Sequence, residues 1–472
     1  MEYIPVMGLE IHAELLTESK VFCSCANAFG GAANTRVCPV CSGMPGTLPV
    51  LNMNAVTLAA KAGFATDCTV NKYSAFDRKN YFYPDLPKAY QITQFETPIC
   101  TDGFIEVTGG RKIRINRIHI EEDAGKLVHD EENGISMADY NRCGVPLIEI
   151  VTEPDFRTTE EVQDFVEKIA LRLKYADVCD ARMEQGSLRV DVNLSVMPKD
   201  SDILGTRAEI KNLNSTRAIR RAVEYEIKRQ SEILTSGGKV VQETRRFDDN
   251  SGTTSSLRSK EEAHDYRYFP EPDIPPVMFT DEELESIRKS MPEMPQKRLE
   301  RYTKQYGLPH DDAMLIIADK SLSDFYDEAV KIYDNYKAVS NLILVELLRN
   351  INESGAAVCD IKFTPHQLAE TVRMSEDGTI SKNSAKEILK IMFADGGEPR
   401  KIAEKYGFIM DNDTSVLEAV IDEVISAEAE NVQSYRDGNT RLFGYLMGQV
   451  MFRAGKGANP KLAKELLAKR LG

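Results

Sequence analysis

Between residues 23 and 41 the chain reads CSCANAFGGAANTRVCPVC, in which twelve residues separate the pair Cys23/Cys25 from the pair Cys38/Cys41. Two thiolate pairs on tight turns supply the four soft ligands of a tetrahedral Zn²⁺, and a centre with no open coordination position is structural rather than catalytic. The same spacing also describes two reduced turns without metal, or a redox pair at Cys38/Cys41. The five remaining cysteines are scattered and read as small core or surface residues.

A second set of chemistry comes from strand alternation, in which successive side chains take opposite faces. In GLEIHAEL, Glu10, His12 and Glu14 share one face and Leu9, Ile11 and Ala13 the other. In RVDVNLSV, Asp191 and Asn193 oppose Val190, Val192, Leu194 and Val196, and in RAEIKNLN, Arg207, Glu209 and Lys211 oppose Ala208 and Ile210. A polar strand face is usually just solvated. Acids interleaved with His, Lys and Arg on neighbouring strands instead make a hard-oxygen site for Mg²⁺, with cations to hold phosphates. The run HIEEDAGK (His119 to Lys126) adds carboxylates, Gly125 and Lys126, though alone it also reads as a charged turn.

FDRKNYFYPDLPKAYQITQ (Phe76 to Gln94) mixes aromatics with Asp77, Arg78, Lys79 and Lys88. Such a mixture stacks a nucleobase and pairs with phosphates, or simply packs as a loop. No G-x-x-x-x-G-K-[ST] or G-x-G-x-x-G fingerprint is present, nor a G-x-S-x-G elbow or an evident Cys/His hydrolase pairing. The last segment, Met451 to Gly472, carries Arg453, Lys456, Lys461, Lys464, Lys469 and Arg470 against the single acid Glu465. It fits contact with a phosphate backbone, or a terminal helix whose cations suit the helix dipole.

The elements that must position these residues follow from periodicity. Up to about residue 275 short alternating runs predict strands and an α+β domain, with two amphipathic helices: one opened by the capping pattern Thr158/Glu161, one running from Ser215 to about Ile233. Ile113/Ile115 and Ile118/Ile120 change phase near Asn116, so a bulge or turn is expected there and the face taken by Glu121 and Glu122 stays open. Prolines 270, 272, 275 and 276 stop both helix and strand, which places a boundary between there and Pro295. Beyond it nearly every segment reads as helix, with starts at Thr364 to Gln367 and Ser415 to Glu418 and breaks at Gly396-Gly397 and Gly455 to Pro460.

At 472 residues the chain holds two or more domains, and its charge of −15 argues against gripping nucleic acid with the whole surface. Any such contact must be local. Nine cysteines without an export signal indicate reduced thiols and a cytoplasmic location, and no 18-residue uncharged apolar stretch reads as a membrane span.

MGLEIHAEL, FDRKNYFYPDLPKAYQITQ, IHIEEDAGK, YNRCGVPLIEIVTEPD, MEQGSLRVDVN, AEIKNLNS, QETRRFD, DYRYFPEPDIPP and LFGYLMGQVMFRAGKGANPKLAKELL follow one another along the chain. In these motifs and their order it resembles the B subunits of the aspartyl/glutamyl-tRNA amidotransferases, over essentially its whole length. The resemblance implies a glutamine synthetase-like kinase (cradle) domain with a mainly antiparallel sheet over residues 1–294, the zinc loop inserted at about 23–41. A helical domain over 295–405 and a tRNA-binding tail over 406–472 complete it. It implies a ligase that uses ATP and Mg²⁺ to phosphorylate the side-chain carboxylate of Glu-tRNA(Gln) or Asp-tRNA(Asn). Amidation then uses ammonia from a glutaminase A subunit, in a complex clamped by a small C subunit.

Carried over by position, Glu10, His12, Glu122, Glu149, Asp191 and Glu209 are candidate metal ligands or water holders, with Lys79 and Lys211 as phosphate or carboxylate partners. Arg78 and Lys126 join Lys79 as ATP contacts, and Arg453, Lys456, Lys461 and Lys464 as tRNA contacts. Two other classes remain: a non-catalytic, zinc-containing tRNA-binding protein, and a stand-alone ligase for a small carboxylate.

Overall fold

The computed structural model describes residues 2–130, 132–259, 265–410, 414–455 and 458–472. The chain divides into two compact units, Met1–Pro295 and Gln296–Gly472. The first is built on a nine-stranded sheet. Its strands run in the order Thr253–Ser259, Glu243–Asp248, Ala208–Leu213, Leu188–Pro198, Tyr3–Glu14, Pro146–Thr152, Lys112–Glu122, Cys100–Glu106 and Thr69–Val70. Neighbours are antiparallel except Ala208–Leu213 and Glu243–Asp248, which run parallel. The N-terminal strand Tyr3–Glu14 thus lies at the centre, flanked by two strands reached much later in the chain.

Alternation explains which face is which. Leu9, Ile11, Ala13, Val190, Val192 and Leu194 are buried in one core with residues of the helices Met53–Ala65, Thr159–Tyr175 and Thr216–Thr235. Each Leu, Ile and Val among them stabilises the fold by about 1.5–3 kcal/mol relative to exposure, and a one-residue slip would forfeit a whole row at once. The register is therefore fixed, and the opposite face is left to the polar residues.

Thr158 and Glu161 form the expected capping box, and Ser215 accepts from the Ala218 amide at the start of Thr216–Thr235. Met53–Ala65 is not among the expected helices: its sequence MNAVTLAAKAGFA is apolar on most sides, and seven of its residues are buried, so it lacks the amphipathic stripe that marks a surface helix. The register of Lys112–Glu122 against Pro146–Thr152 shifts where Val151 faces Arg117 and Thr152 faces Ile115. Asn116 is the extra residue, so the phase change read in the sequence is a β-bulge.

The second unit is helical among its described residues. Helix Pro365–Glu376 opens with a Thr364/Gln367 capping box, Lys382–Asp395 ends at Gly396, and Thr414–Ala427, Leu442–Ala454 and Pro460–Leu471 form the last part. It holds two apolar clusters, one around Tyr302, Tyr326, Leu347 and Leu389, the other around Ile421, Val424, Leu446 and Leu467. No described helix is long and apolar enough to cross a membrane.

Candidate active site

The polar face of the central sheet is assembled strand by strand. Glu10 stands opposite Asp191, and His12 opposite Arg189 on one side and Glu149 on the other; Glu149 in turn faces His119, and Asn193 faces Glu209. Two groups result. His12 Nε2 lies 3.3 Å from Glu121 and 3.7 Å from Glu149, and His119 Nε2 lies 3.1 Å from Glu149 and 3.7 Å from Glu121. Next to it, Asn193 donates to Glu10 at 2.9 Å, Lys211 Nζ bridges Asp191 (2.6 Å) and Glu209 (2.8 Å), and Thr244 donates to Glu209 at 2.8 Å.

One donor atom each from His12, Glu121 and Glu149 falls within 4.8 Å of the others, and the same holds for Glu10, Asp191 and Glu209. Glu10 and His12 are two residues apart on one strand, so the groups are separated by about 7 Å along it. Carboxylate oxygens and imidazole nitrogen are a donor set suited to a divalent cation such as Mg²⁺ or Mn²⁺.

The electrostatics agree with a cation deficit in the second group. Burial, then the charges of Glu149 and Glu209, hold the Glu10 carboxyl above its ordinary range, and the Asn193 hydrogen bond and Lys211 only partly oppose them. In the first group burial disfavours charge on both histidines. The charge and hydrogen bonds of Glu149 and Glu121 nevertheless push His119 up to about 9, and Glu121 with Glu149 raises His12. Partial burial alone would raise Glu149, yet chiefly His119 brings it down to about 2.

Lys79 approaches from a separate small sheet, Asp77–Asn80 paired with Tyr90–Thr93 and Phe269–Pro270. Its Nζ is 4.8 Å from the centre of the Tyr266 ring, and although burial opposes its charge, Glu121, Tyr268 and Glu149 raise its pKa above the ordinary lysine value. The Tyr81 ring centre lies 5.9 Å from the same Nζ, so one side of Lys79 is aromatic, and nearby Phe95 stacks on Tyr268 with ring centres 4.2 Å apart.

The expected residues Glu10, His12, Glu149, Asp191, Glu209, Lys211 and Lys79 are brought together here. Glu122 is not: its carboxylate pairs with Lys88 and accepts from the Ile92 amide at 3.0 Å, and Glu121 is the residue that faces His12. Arg78 makes its contacts elsewhere, forked onto Glu271 at 2.6 and 3.0 Å, with a third bond to Asp273. Lys126 is exposed on the hairpin Lys126–Asp130/Ile135–Asp139. In the tail, Arg453 lies 3.7 Å from Glu423, Lys461 and Lys464 are exposed on Pro460–Leu471, and Lys456 falls outside the described residues. His119 and Asn193 belong to the site without being candidates on sequence grounds. The buried pair Ile118/Ile120 carries the signal for His119, since it leaves His119 and Glu121 on the polar face.

At the cysteine loop, Cys23, Cys25, Cys38 and Cys41 converge, with Cys41 Sγ 4.0 Å from Cys25 Sγ and 3.9 Å from Cys38 Sγ. Four Zn–S bonds of about 2.3 Å require sulfurs about 3.8 Å apart, so the four thiols fit a tetrahedral ion.

Comparison with known proteins agrees with this geometry. The family model for the GatB/GatE catalytic domain matches residues 5–285, and that for the GatB domain matches residues 324–471. The chain is 53% identical to the B subunit of the aspartyl/glutamyl-tRNA(Asn/Gln) amidotransferase of Ruminiclostridium cellulolyticum, across 100% of this chain and 98% of the relative. The same-named proteins of Caldicellulosiruptor bescii and Myxococcus xanthus are 51% and 49% identical, each over 100% of this chain and 99% of the relative. With two acid-rich groups on one sheet face and likeness along its full length, the chain belongs to the B-subunit family of the aspartyl/glutamyl-tRNA(Asn/Gln) amidotransferases.

Proposed function

We propose that this chain is the phosphorylating and amidating subunit of a tRNA-dependent amidotransferase. It uses ATP to activate the side-chain carboxylate of Glu-tRNA(Gln), Asp-tRNA(Asn) or both, and then joins ammonia to it. The observation that carries this reading is the pair of neighbouring acidic groups, His12/Glu121/Glu149 and Glu10/Asp191/Glu209, with Lys79 and Lys211 beside them. A carboxylate cannot expel oxide when ammonia attacks. Transfer of the γ-phosphoryl of ATP to the carboxylate oxygen gives an acyl phosphate and ADP; ammonia then forms the C–N bond, the bond from the acyl carbon to the phosphate oxygen breaks, and the proton that the nitrogen gives up goes to the departing phosphate.

Glu10, Asp191 and Glu209, and His12, Glu121 and Glu149, are the residues that would hold Mg²⁺. Bound there, the metal supplies neutralisation of the phosphoryl charge. Lys79 and Lys211 offer fixed cations to phosphoryl oxygens, and Asn193 orients Glu10. The ring pair Phe95/Tyr268 offers a stacking surface of the kind a base uses.

Ammonia reaches the site from a glutaminase A subunit, in a complex that also contains a small C subunit; the absence of a hydrolase motif in this sequence supports that division of labour. Residues 1–294 form the cradle, 295–405 a helical domain and 406–472 a tail that binds tRNA, in the cytoplasm. Cys23, Cys25, Cys38 and Cys41 hold a structural Zn²⁺. The test is amidation of Glu-tRNA(Gln) and of Asp-tRNA(Asn) with ammonium and ATP, with and without the glutaminase partner. ATP-dependent amide formation from ammonium is expected in both settings, and from glutamine only with the partner. Binding of tRNA without ATP turnover would overturn the reading.

A further inference from the structure

Lys20 is fully buried, 0% exposed, and among the described residues no carboxylate lies within ion-pair distance of its ammonium. Its Nζ donates instead to the Arg36 carbonyl at 2.8 Å, to the Tyr140 carbonyl at 3.3 Å, and to Cys41 Sγ at 3.5 Å. Its backbone amide donates to the Cys25 carbonyl at 2.9 Å. A buried ammonium whose partners are two carbonyls and a thiol is costly while that thiol is uncharged, because dipoles replace little of the hydration that burial removes. Four thiolates around a divalent ion carry a net double negative charge, and one of those sulfurs is in contact with Lys20.

We propose that Lys20 is the charge partner of the four-cysteine metal centre: its ammonium offsets the metal–thiolate charge and, through the Arg36 and Tyr140 carbonyls, ties the cysteine loop to the turn at residues 140–144. The inference rests on the zinc reading of that loop. The tie is reinforced beside it. The Val21 amide donates to the Gly144 carbonyl at 2.9 Å, and a Cβ built on Gly144 would stand 3.6 Å from Lys20 Cδ and 3.7 Å from Cys41 Cβ. The turn leads directly into strand Pro146–Thr152, which carries Glu149. The centre therefore braces the start of a strand of the candidate active site, with Lys20 as a positioning residue.

The test uses the full chain purified with the other subunits of its complex. Zinc content of the wild type addresses the metal reading by itself: about one equivalent is expected, and a metal-free protein overturns both that reading and this one. For Lys20, the Lys20→Met variant keeps the length of the side chain and removes the charge. It is expected to release zinc to a chromophoric chelator at least about tenfold faster than wild type, as loss of one charge-assisted hydrogen bond implies.

Should the variant fail to fold, the wild type decides through labelling with acetic anhydride and mass spectrometry. Lys20 is expected to stay unlabelled in the zinc-loaded protein and to become labelled after chelation, while Lys72, whose side chain is 60% exposed, is labelled in both states. Zinc-replete wild type combined with release from Lys20→Met within twofold of wild type overturns the role of Lys20 and leaves the zinc reading intact. So does labelling of Lys20 that ignores the metal.

Discussion

The last two residues of strand Lys112–Glu122 divide two tasks between them. Glu121 faces the histidines, where its carboxylate lies 3.3 Å from His12, whereas Glu122 turns to the other side and is held by Lys88 and the Ile92 amide. Removing charge from each therefore differs in its effect on turnover. Glu121→Gln and Glu10→Gln are both expected to leave tRNA binding intact while lowering ATP-dependent amidation about a hundredfold or more. Glu10→Gln keeps the melting temperature near wild type, because burial and like charges already disfavour the Glu10 carboxylate, whereas Glu121→Gln also lowers it by removing the buried partner of His12 and His119. Glu122→Gln breaks a buried ion pair, which costs on the order of 3 kcal/mol and lowers the melting temperature by several degrees, with a smaller loss of turnover. Amidation assays and thermal melts on the three variants check this. Glu122→Gln losing a hundredfold in amidation, as Glu121→Gln does, would sink the division.

At the scale of elements, that division depends on one inserted residue. Asn116 lets Ile113 and Ile115 on one side of the bulge, and Ile118 and Ile120 on the other, all point into the helix-covered core. Deleting Asn116 would put either pair on the polar face, exposing two fully buried isoleucines and inverting His119 and Glu121. The deletion is expected to abolish the cooperative thermal transition of the Met1–Pro295 unit, followed by circular dichroism. A folded, active deletion variant would show that the bulge does not set the register.

How much of this is legible in the sequence follows from the same rule of alternation. Within an unbroken strand it reads well: Glu10 with His12, Asp191 with Asn193 and Glu209 with Lys211 all lie on the face expected of them. At the bulge it leaves the choice between Glu121 and Glu122 open; the resemblance points to Glu122, whereas Glu121 is the one that faces the histidines. It also warns against taking neighbours together. Arg78 and Lys79 are consecutive on Asp77–Asn80, so Lys79 turns to the acidic groups while Arg78 forks onto Glu271. Lys20 gives no signal at all, because its partners are backbone carbonyls and a thiol from distant segments. Helix Met53–Ala65 is hidden for the opposite reason, being apolar on nearly every side.

Across the whole molecule, the charge of −15 means that contact with a polyanion depends on a few cations that are not already paired. The C-terminal segment looks uniformly basic in sequence, but its cations divide. Arg470 pairs with Asp422 at 3.2 Å and Glu418 at 3.5 Å, and Arg453 stands beside Glu423, so both are engaged with helix Thr414–Ala427. Lys461 and Lys464 are exposed on Pro460–Leu471, one turn apart, and make no ion pair among the described residues. Together with Lys469, which is likewise exposed and in no ion pair among the described residues, they are cations free to release counterions on meeting phosphates. Replacing Lys461 and Lys464 by Ala is expected to weaken tRNA binding without changing ammonium-dependent amidation at saturating tRNA, and to reduce the slope of log affinity against log salt by about one per lysine. Binding isotherms from low to moderate salt give that slope, and an unchanged slope would remove these two lysines from the interface. Arg470→Ala serves as the contrast. Because its charge is already offset, it is expected to alter the stability of the tail helices more than the salt dependence.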